Sequence, residues 1–316
     1  MLSIRKGLRG QQALFAISIC VLNGLYSTAA LAQRINTCEQ TAETLSQACE
    51  FEAADDQRVG LAICLNLTNP GASLACRRDV QSSYAAALRN CEAVEDARED
   101  VCDVVGTGPY DPVIHPTNFV PTITNLYAPF QPGRWWEYRK VTDEGVERIR
   151  VEVLNQTRNI QGVKVTTLRD RVWLDGVLIE DTIDWLAQQT NGDVRYFGEI
   201  VKNFEDGLLA NLDGSFEAGK DGAKSGIWVK YAPRVGEFYR QEWAPNNAED
   251  MVEILDLDAP DNVPFRGTAP VLKTRDYTPL SPDAVEFKFY VPGIGFVLEV
   301  NPDTGEELRL VDYGPR

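Results

Sequence analysis

The hydrophobic rhythm of the chain changes near residue 134. Before it lies a stretch of helix formers, rich in Ala, Glu, Gln, Leu and Arg, with no Pro or Gly from Ser73 to about Val101. Asn69-Pro70-Gly71 breaks that stretch. The pattern predicts helices near 38–52, 56–67 and 72–103. After residue 134 the apolar positions recur every second residue. Trp135, Tyr138, Val146–Leu154, Val163–Leu174, Val177–Gln188 and Asp193–Phe204 read as successive strands, and more are expected near 227–231, 236–243, 250–257, 271–277, 285–291, 294–300 and 306–313. Asp175-Gly176 and Asn191-Gly192 are hairpin signals. No βαβ alternation occurs. The predicted fold is α+β: an antiparallel β meander of about ten strands, a barrel or strongly curved sheet, preceded by a small helical module.

Between the two lies a connector, residues 106–133, punctuated by Pro112, Pro116, Pro121, Pro129 and Pro132. Its apolar residues (Val113, Ile114, Phe119, Val120, Tyr127, Phe130) predict that it packs down on its neighbours. The expected plan is therefore 1–32 signal peptide, 33–105 helical module, 106–133 connector and 134–316 β domain.

The turns set an expected register. If Asp175-Gly176 closes a two-residue hairpin, Val172 faces Ile179, Asp170 faces Asp181 and Leu168 faces Ile183. If Asn191-Gly192 closes the next, Ile183 faces Ile200 and Asp181 faces Lys202. One face then carries Leu168, Val172, Leu174, Val177, Ile179, Ile183, Trp185 and Ile200, and is the expected core. Asp170, Asp181 and Lys202 would form a charge row within it. Like charges directly opposite in a sheet are destabilising, and buried carboxylates must be paired, protonated or bound to a metal. That row is the first candidate site, as a structural cluster, a Ca²⁺ site or an acid/base pair.

The cysteines refine the helical module. Cys38, Cys49, Cys64, Cys76, Cys91 and Cys102 are spaced by 11, 15, 12, 15 and 11 residues, symmetric about the middle. No close C-x2-C pair suits zinc. An even set in an exported chain reads as three disulfides, with fifteen pairings open. Export itself is read from the N-terminus: Arg5, Lys6 and Arg9 precede an apolar run that ends on Ala30-Leu31-Ala32, the layout of a cleaved secretory signal. Cleavage would remove three basic residues and no acidic one, so the net charge of −16 becomes −19. Such a chain is repelled by phosphate backbones and anionic bilayers, so neither nucleic-acid binding nor membrane insertion after cleavage is expected. The expected location is periplasmic or extracellular.

Several chemistries lack their residues. After position 32 the only histidine is His115, and no G-x-S-x-G is present, which argues against a Ser-His-Asp triad and against zinc, copper or haem. Gly214 to Lys220 mimics a phosphate loop, but Asp221 stands where Ser or Thr is required. Asp256, Asp258 and Asp261 form an oxygen-rich turn that misses EF-hand spacing. The six tryptophans, Trp135, Trp136, Trp173, Trp185, Trp228 and Trp243, all lie in the β region, where they pack a core, line an apolar cavity or stack on sugars.

The segment Pro129-Phe-x-Pro132-Gly133-x-Trp135-x-x-Tyr138, followed by Arg169-Asp-Arg-Val, Asp175-Gly176 and Glu180-Asp-Thr-x-Asp184-Trp185, resembles a family of uncharacterised exported bacterial proteins over roughly residues 129–300. The resemblance implies a bacterial exported protein and no catalytic residue. The expected function is an acidic, non-enzymatic module that binds a small ligand, cation or protein partner through its β domain. The alternatives are a carboxylate-dependent hydrolase using Asp170, Asp181 or Glu199, and a purely structural envelope protein. No cofactor is expected; Ca²⁺ is the one metal for which carboxylates are at hand, with Asp170, Asp181, Asp256, Asp258 and Asp261 as candidates.

Overall fold

The computed structural model describes residues 36–315; the expected signal segment lies outside the described residues. Two helices come first: α1 (Thr37–Leu65) and α2 (Pro70–Val105). Asn36 and Asn69 cap them, their side chains accepting from the N–H groups of Glu39 and Ala72, and Pro70 opens α2 where a missing N–H costs nothing. The expected break near residue 54 is absent. Ala53-Ala54-Asp55 contains neither Gly nor Pro, so nothing stops α1 from running through.

The helices lie antiparallel, joined by three nested disulfides: Cys38–Cys102, Cys49–Cys91 and Cys64–Cys76. Each pair is centred on residue 70, the start of α2. The symmetric spacing is thus the trace of a hairpin folded about its turn. Such crosslinks act mainly by restricting the unfolded chain, at about 2–4 kcal/mol each. The double variant Cys38→Ser/Cys102→Ser is expected to lose about that much, read as an earlier helical circular dichroism melt. An unshifted melt would mean that packing against the barrel alone holds the helix ends.

Fifteen strands follow: β1 (Trp135–Thr142), β2 (Gly145–Ile160), β3 (Val163–Leu174), β4 (Val177–Gln188), β5 (Val194–Glu205), β6 (Leu208–Asn211), β7 (Phe216–Glu217), β8 (Lys224–Val229), β9 (Phe238–Arg240), β10 (Glu242–Trp243), β11 (Met251–Asp256), β12 (Leu272–Thr278), β13 (Ser281–Val291), β14 (Gly295–Val300) and β15 (Glu307–Gly314). The excess over ten comes from short pieces such as β6, β7, β9 and β10. All pairings are antiparallel. The sheet runs β10-β8-β5-β4-β3-β2-β1-β15-β14-β13-β12-β11-β9. Its two ends, β9 and β10, are adjacent in the chain, separated by Gln241 alone. One segment therefore pairs with both free edges and all but closes the sheet into a barrel, which hides the edges.

The Asp175-Gly176 hairpin forms as expected, with φ of 48° and 86°. Leu174 faces Val177, but a β-bulge at Ile179 then shifts the register: Val172 faces Glu180, Asp170 faces Thr182, Arg171 faces Asp181 and Leu168 faces Asp184. The expected Asp170–Asp181 pairing is thus replaced. Between β4 and β5, Ile183 faces Ile200 and Asp181 faces Lys202 as expected, but Asn191-Gly192 does not close a two-residue hairpin: Gln188 faces Val194, and an extra residue at Phe197 restores the register farther along.

The bulge matters because a one-residue slip exchanges the faces of a strand. The main core fills the barrel interior and includes Trp136, Tyr138, Leu168, Leu186 and Tyr196. A second cluster, with Trp185, Phe197 and Val165, lies on the other face under Ile114 and Phe119 of the connector. So Ile183 and Trp185, whose alternation predicts barrel core, pack outside beneath a strap of chain. Gln188 pins that strap, its Oε1 accepting from the N–H groups of Thr124 and Asn125 at 2.6 and 2.8 Å. The connector does pack down, although Val113 stays 69% exposed.

Candidate functional site: an acidic, aromatic lumen

The inward positions of the strands surround a cavity of about 470 Å³. Period two places its lining: Trp136, Tyr138 and Lys140 on β1; Leu168 and Asp170 on β3; Glu180, Thr182 and Asp184 on β4; Glu286, Lys288 and Tyr290 on β13. Aromatic side chains build one part of the wall. Phe130 meets Trp136 edge-on at 5.6 Å, and Tyr196 meets Trp228 at 5.0 Å between ring centres. Trp136 spends its indole N–H on the carbonyl of Ile294 at 2.7 Å, leaving the ring as apolar wall.

Carboxylates build much of the rest, chiefly in two groups, with Glu147 and Glu180 also in the lining. The first is Asp170, Asp184 and Glu199, with Glu242 and Asp250 beyond them. Asp184 and Glu199 lie directly opposite each other on β4 and β5. A second bulge, at Phe197, turns Tyr196 and Glu199 to the same side, and the Tyr196 hydroxyl donates to Asp184 Oδ1 at 2.6 Å. Burial pushes the Asp184 carboxyl up to about 6, against the pull of that hydrogen bond. Burial and the neighbouring Asp184 push Asp170 and Glu199 well above the usual carboxylate range. Asp170 Oδ1 is buried with no hydrogen-bond partner among the described residues. Burial, followed by Asp250 and Glu199, raises Glu242 likewise.

The second group surrounds a lysine. Lys288 Nζ lies 3.4 Å from Asp276, 3.3 Å from Glu286 and 3.9 Å from Glu299. Burial alone would discharge the amine, but those three carboxylates outweigh it and hold it protonated. Glu299, buried and crowded by Glu286 despite Lys288, rises to about 7. The lysine therefore serves its own ring of acids and reaches Asp250 and Glu242 through its field, while among the described residues no ion pair reaches Asp170, Asp184 or Glu199.

Of the candidates read from sequence, Asp170 and Glu199 line this lumen and Asp181 does not. Asp181 sits on the outer face in a two-pronged pair with Arg169, at 2.7 and 2.9 Å. The Arg169 hydrogen bond, working against burial, holds its carboxyl below the usual range. The Asp170/Asp181/Lys202 row is therefore split between the two sides of the wall. Asp258 and Asp261 pair with Arg266 and Lys273 at 3.0 and 3.7 Å, and Asp256 accepts from the N–H of Asp258, so that turn satisfies itself. Asp184, Tyr196, Glu242 and Lys288 also line the lumen and are not among the candidates expected from sequence. For Asp184 and Lys288 the signal is present in Glu180-x-Thr182-x-Asp184 and Glu286-x-Lys288-x-Tyr290, polar groups at alternate positions along β4 and β13.

Among the described residues no group of three Asp, Glu, His or Cys side chains converges as a metal cage would, and no helix is long and apolar enough to cross a membrane. No family model and no curated protein sequence matches the chain. A solved structure described as "a putative lipoprotein from Parabacteroides distasonis ATCC 8503" aligns with 60% of this chain and 99% of its own, at 13% identity and a TM-score of 0.33. So slight a likeness leaves the site to be read from its own residues.

Proposed function

We propose that the barrel is an exported, non-enzymatic binding module that takes a small organic cation with an apolar body into its lumen. The observation that carries this reading is the cluster Asp170, Asp184 and Glu199: inward-facing carboxylates, one oxygen unbonded, beside an aromatic wall and without a paired cation. Buried acids of this kind carry a desolvation and repulsion penalty that an incoming cation relieves. Aromatic faces favour a spread-out cation and its apolar body. The acids stand around a space sized for a small molecule, and a single metal ion would leave most of that space unfilled. The three disulfides suit an oxidising compartment, periplasmic or extracellular.

The test is calorimetric titration with octylamine and phenethylamine, each matched by its neutral alcohol. The amines are expected to bind and the alcohols to bind far more weakly. Asp184→Asn with Glu199→Gln is expected to weaken amine binding at least tenfold. Equal binding of amine and alcohol, or binding unchanged in the double variant, would sink the proposal.

The pH dependence follows from the same groups. A carboxyl raised to about 6 in the fold is charged above that pH, so amine binding is expected to strengthen as pH rises through 6 and to fade below it. The empty protein behaves oppositely. Its folded state takes up protons more readily than the unfolded chain, so Asp184 stabilises relatively at low pH and costs stability as pH rises through 6. Melting temperatures at pH 5 and pH 8, with and without octylamine, check both signs.

A second reading rests on the Asp184–Glu199 pair, whose proton affinities are both raised and which share one cleft with the Tyr196 hydroxyl. Such pairs serve as general acid and base in hydrolases. Breakdown of a bound ligand on long incubation, lost in Glu199→Gln, would favour it over simple binding.

A further inference from the structure

The helical hairpin and the barrel meet across a second cavity, of about 180 Å³. Two guanidinium groups and one carboxylate line it: Arg98, Arg240 and Glu249. Arg98 is consumed by its neighbours. Its Nε and Nη2 donate to the two oxygens of Glu249 at 3.0 and 2.8 Å, and Nη2 donates to Asn246 Oδ1 at 2.6 Å. Arg240 has no such partner. It is only 8% exposed, it makes no ion pair among the described residues, and its Nε is buried with no hydrogen-bond acceptor. Its Nη2 reaches only the disulfide sulfur of Cys38 at 3.8 Å, and its charge lies 5.6 Å from the Tyr110 ring. Burial accordingly makes Arg240 easier to deprotonate than a free arginine.

Arg240 shares the field of Glu249 with Arg98, so the side chains lining the junction carry one surplus positive charge inside a chain of net charge −16. A buried, unpaired cation is expensive, and guanidinium groups favour planar oxyanions. The rest of the wall is mostly apolar, with Leu45, Val101 and Trp243 beside Thr37 and Thr41, and the volume admits only a small molecule. We propose that this cavity binds a small monocarboxylate, its carboxylate on the Arg240 guanidinium and its short apolar tail toward Leu45 and Trp243. A dianion such as phosphate would overshoot the single surplus charge and would leave the apolar wall uncovered.

Titration of the full chain with butyrate, followed by calorimetry and by the melting temperature, tests the site. Wild type is expected to bind butyrate and to melt higher with it, and inorganic phosphate is expected to do neither. Arg240→Gln should weaken butyrate at least tenfold. Val105→Trp blocks the same cavity from a position that is 39% exposed, so it keeps the test alive if Arg240→Gln fails to fold. Asp184→Asn, in the lumen, should leave butyrate binding intact, which separates this site from the first. No butyrate binding by wild type, phosphate binding as tight as butyrate, or full affinity in Val105→Trp would each overturn the proposal.

Discussion

Gly226→Ala is expected to open the barrel. Gly226 lies on β8 where the segment joining β9 to β10 crosses it, and an added methyl group would fall deep inside contact with the carbonyl groups of Gln241 and Arg240. Those neighbours are backbone, which cannot swing aside as the end of a side chain can. Nor can the crossing segment retreat: the N–H groups of Gln241 and Glu242 both donate to the carbonyl of Asp250, at 2.7 and 3.2 Å. Moving it would break the contacts that tie β9 and β10 to the two edges of the sheet. Overpacking within a core commonly costs about 1–3 kcal/mol; a backbone-to-backbone clash at the closure should cost at least the upper end, out of a total stability of about 5–15 kcal/mol. It should also displace Glu242 and with it one wall of the lumen. The control is Gly108→Ala, where an added methyl group meets nothing. Urea midpoints and octylamine affinity measure the two effects. If the two variants matched in stability, closure would not depend on this approach.

Much of this architecture is written in local signals, and its failures of legibility have specific causes. The cysteine spacing encodes an antiparallel hairpin because partners lie equally far from the turn, and the nested pairing realises that symmetry. Asp175-Gly176 gives its hairpin because both positions need a left-handed backbone. The bulge at Ile179 has no such marker: any residue can be the extra one in a strand. Yet that single insertion moves Asp181 to the outside and brings Asp170 beside Thr182 and Asp184. The two faces of β4 also have the opposite sense from the one their alternation predicts. Its apolar face is covered by the connector, and its polar face lines a lumen. Alternation reports which side is dry, and a strap of chain dries the outside while a ligand cavity keeps the inside polar. Barrel closure through Phe238–Trp243 has no local mark for a related reason, since one continuous run divides between two chain neighbours, β8 and β11, that lie at opposite ends of the sheet.

Arg98→Met should release the helical hairpin from the barrel at a cost of about 3–5 kcal/mol, the usual penalty for leaving one member of a buried ion pair alone. The side chains of Arg98 and Glu249 are 6% and 4% exposed, so neither can turn to water for relief. Glu249 Oε1 also accepts from the N–H of Asn246, and Asn246 receives Arg98 in turn, so a single truncation strands several polar groups. Glu249→Met should cost a comparable amount and would leave the cavity beside Arg240 with two unpaired guanidinium groups. The double variant Arg98→Met/Glu249→Met should recover much of the loss, because apolar side chains of similar size refill the space without a buried charge. A double-mutant cycle on urea midpoints, with helical circular dichroism and tryptophan fluorescence recorded together, distinguishes the outcomes. Coincident transitions in wild type that separate in Arg98→Met would mean that this pair couples the helices to the barrel. Additive losses with transitions still coincident would mean that the disulfide hairpin is held by its apolar contacts, and the ion pair would then be a lining of the small cavity alone.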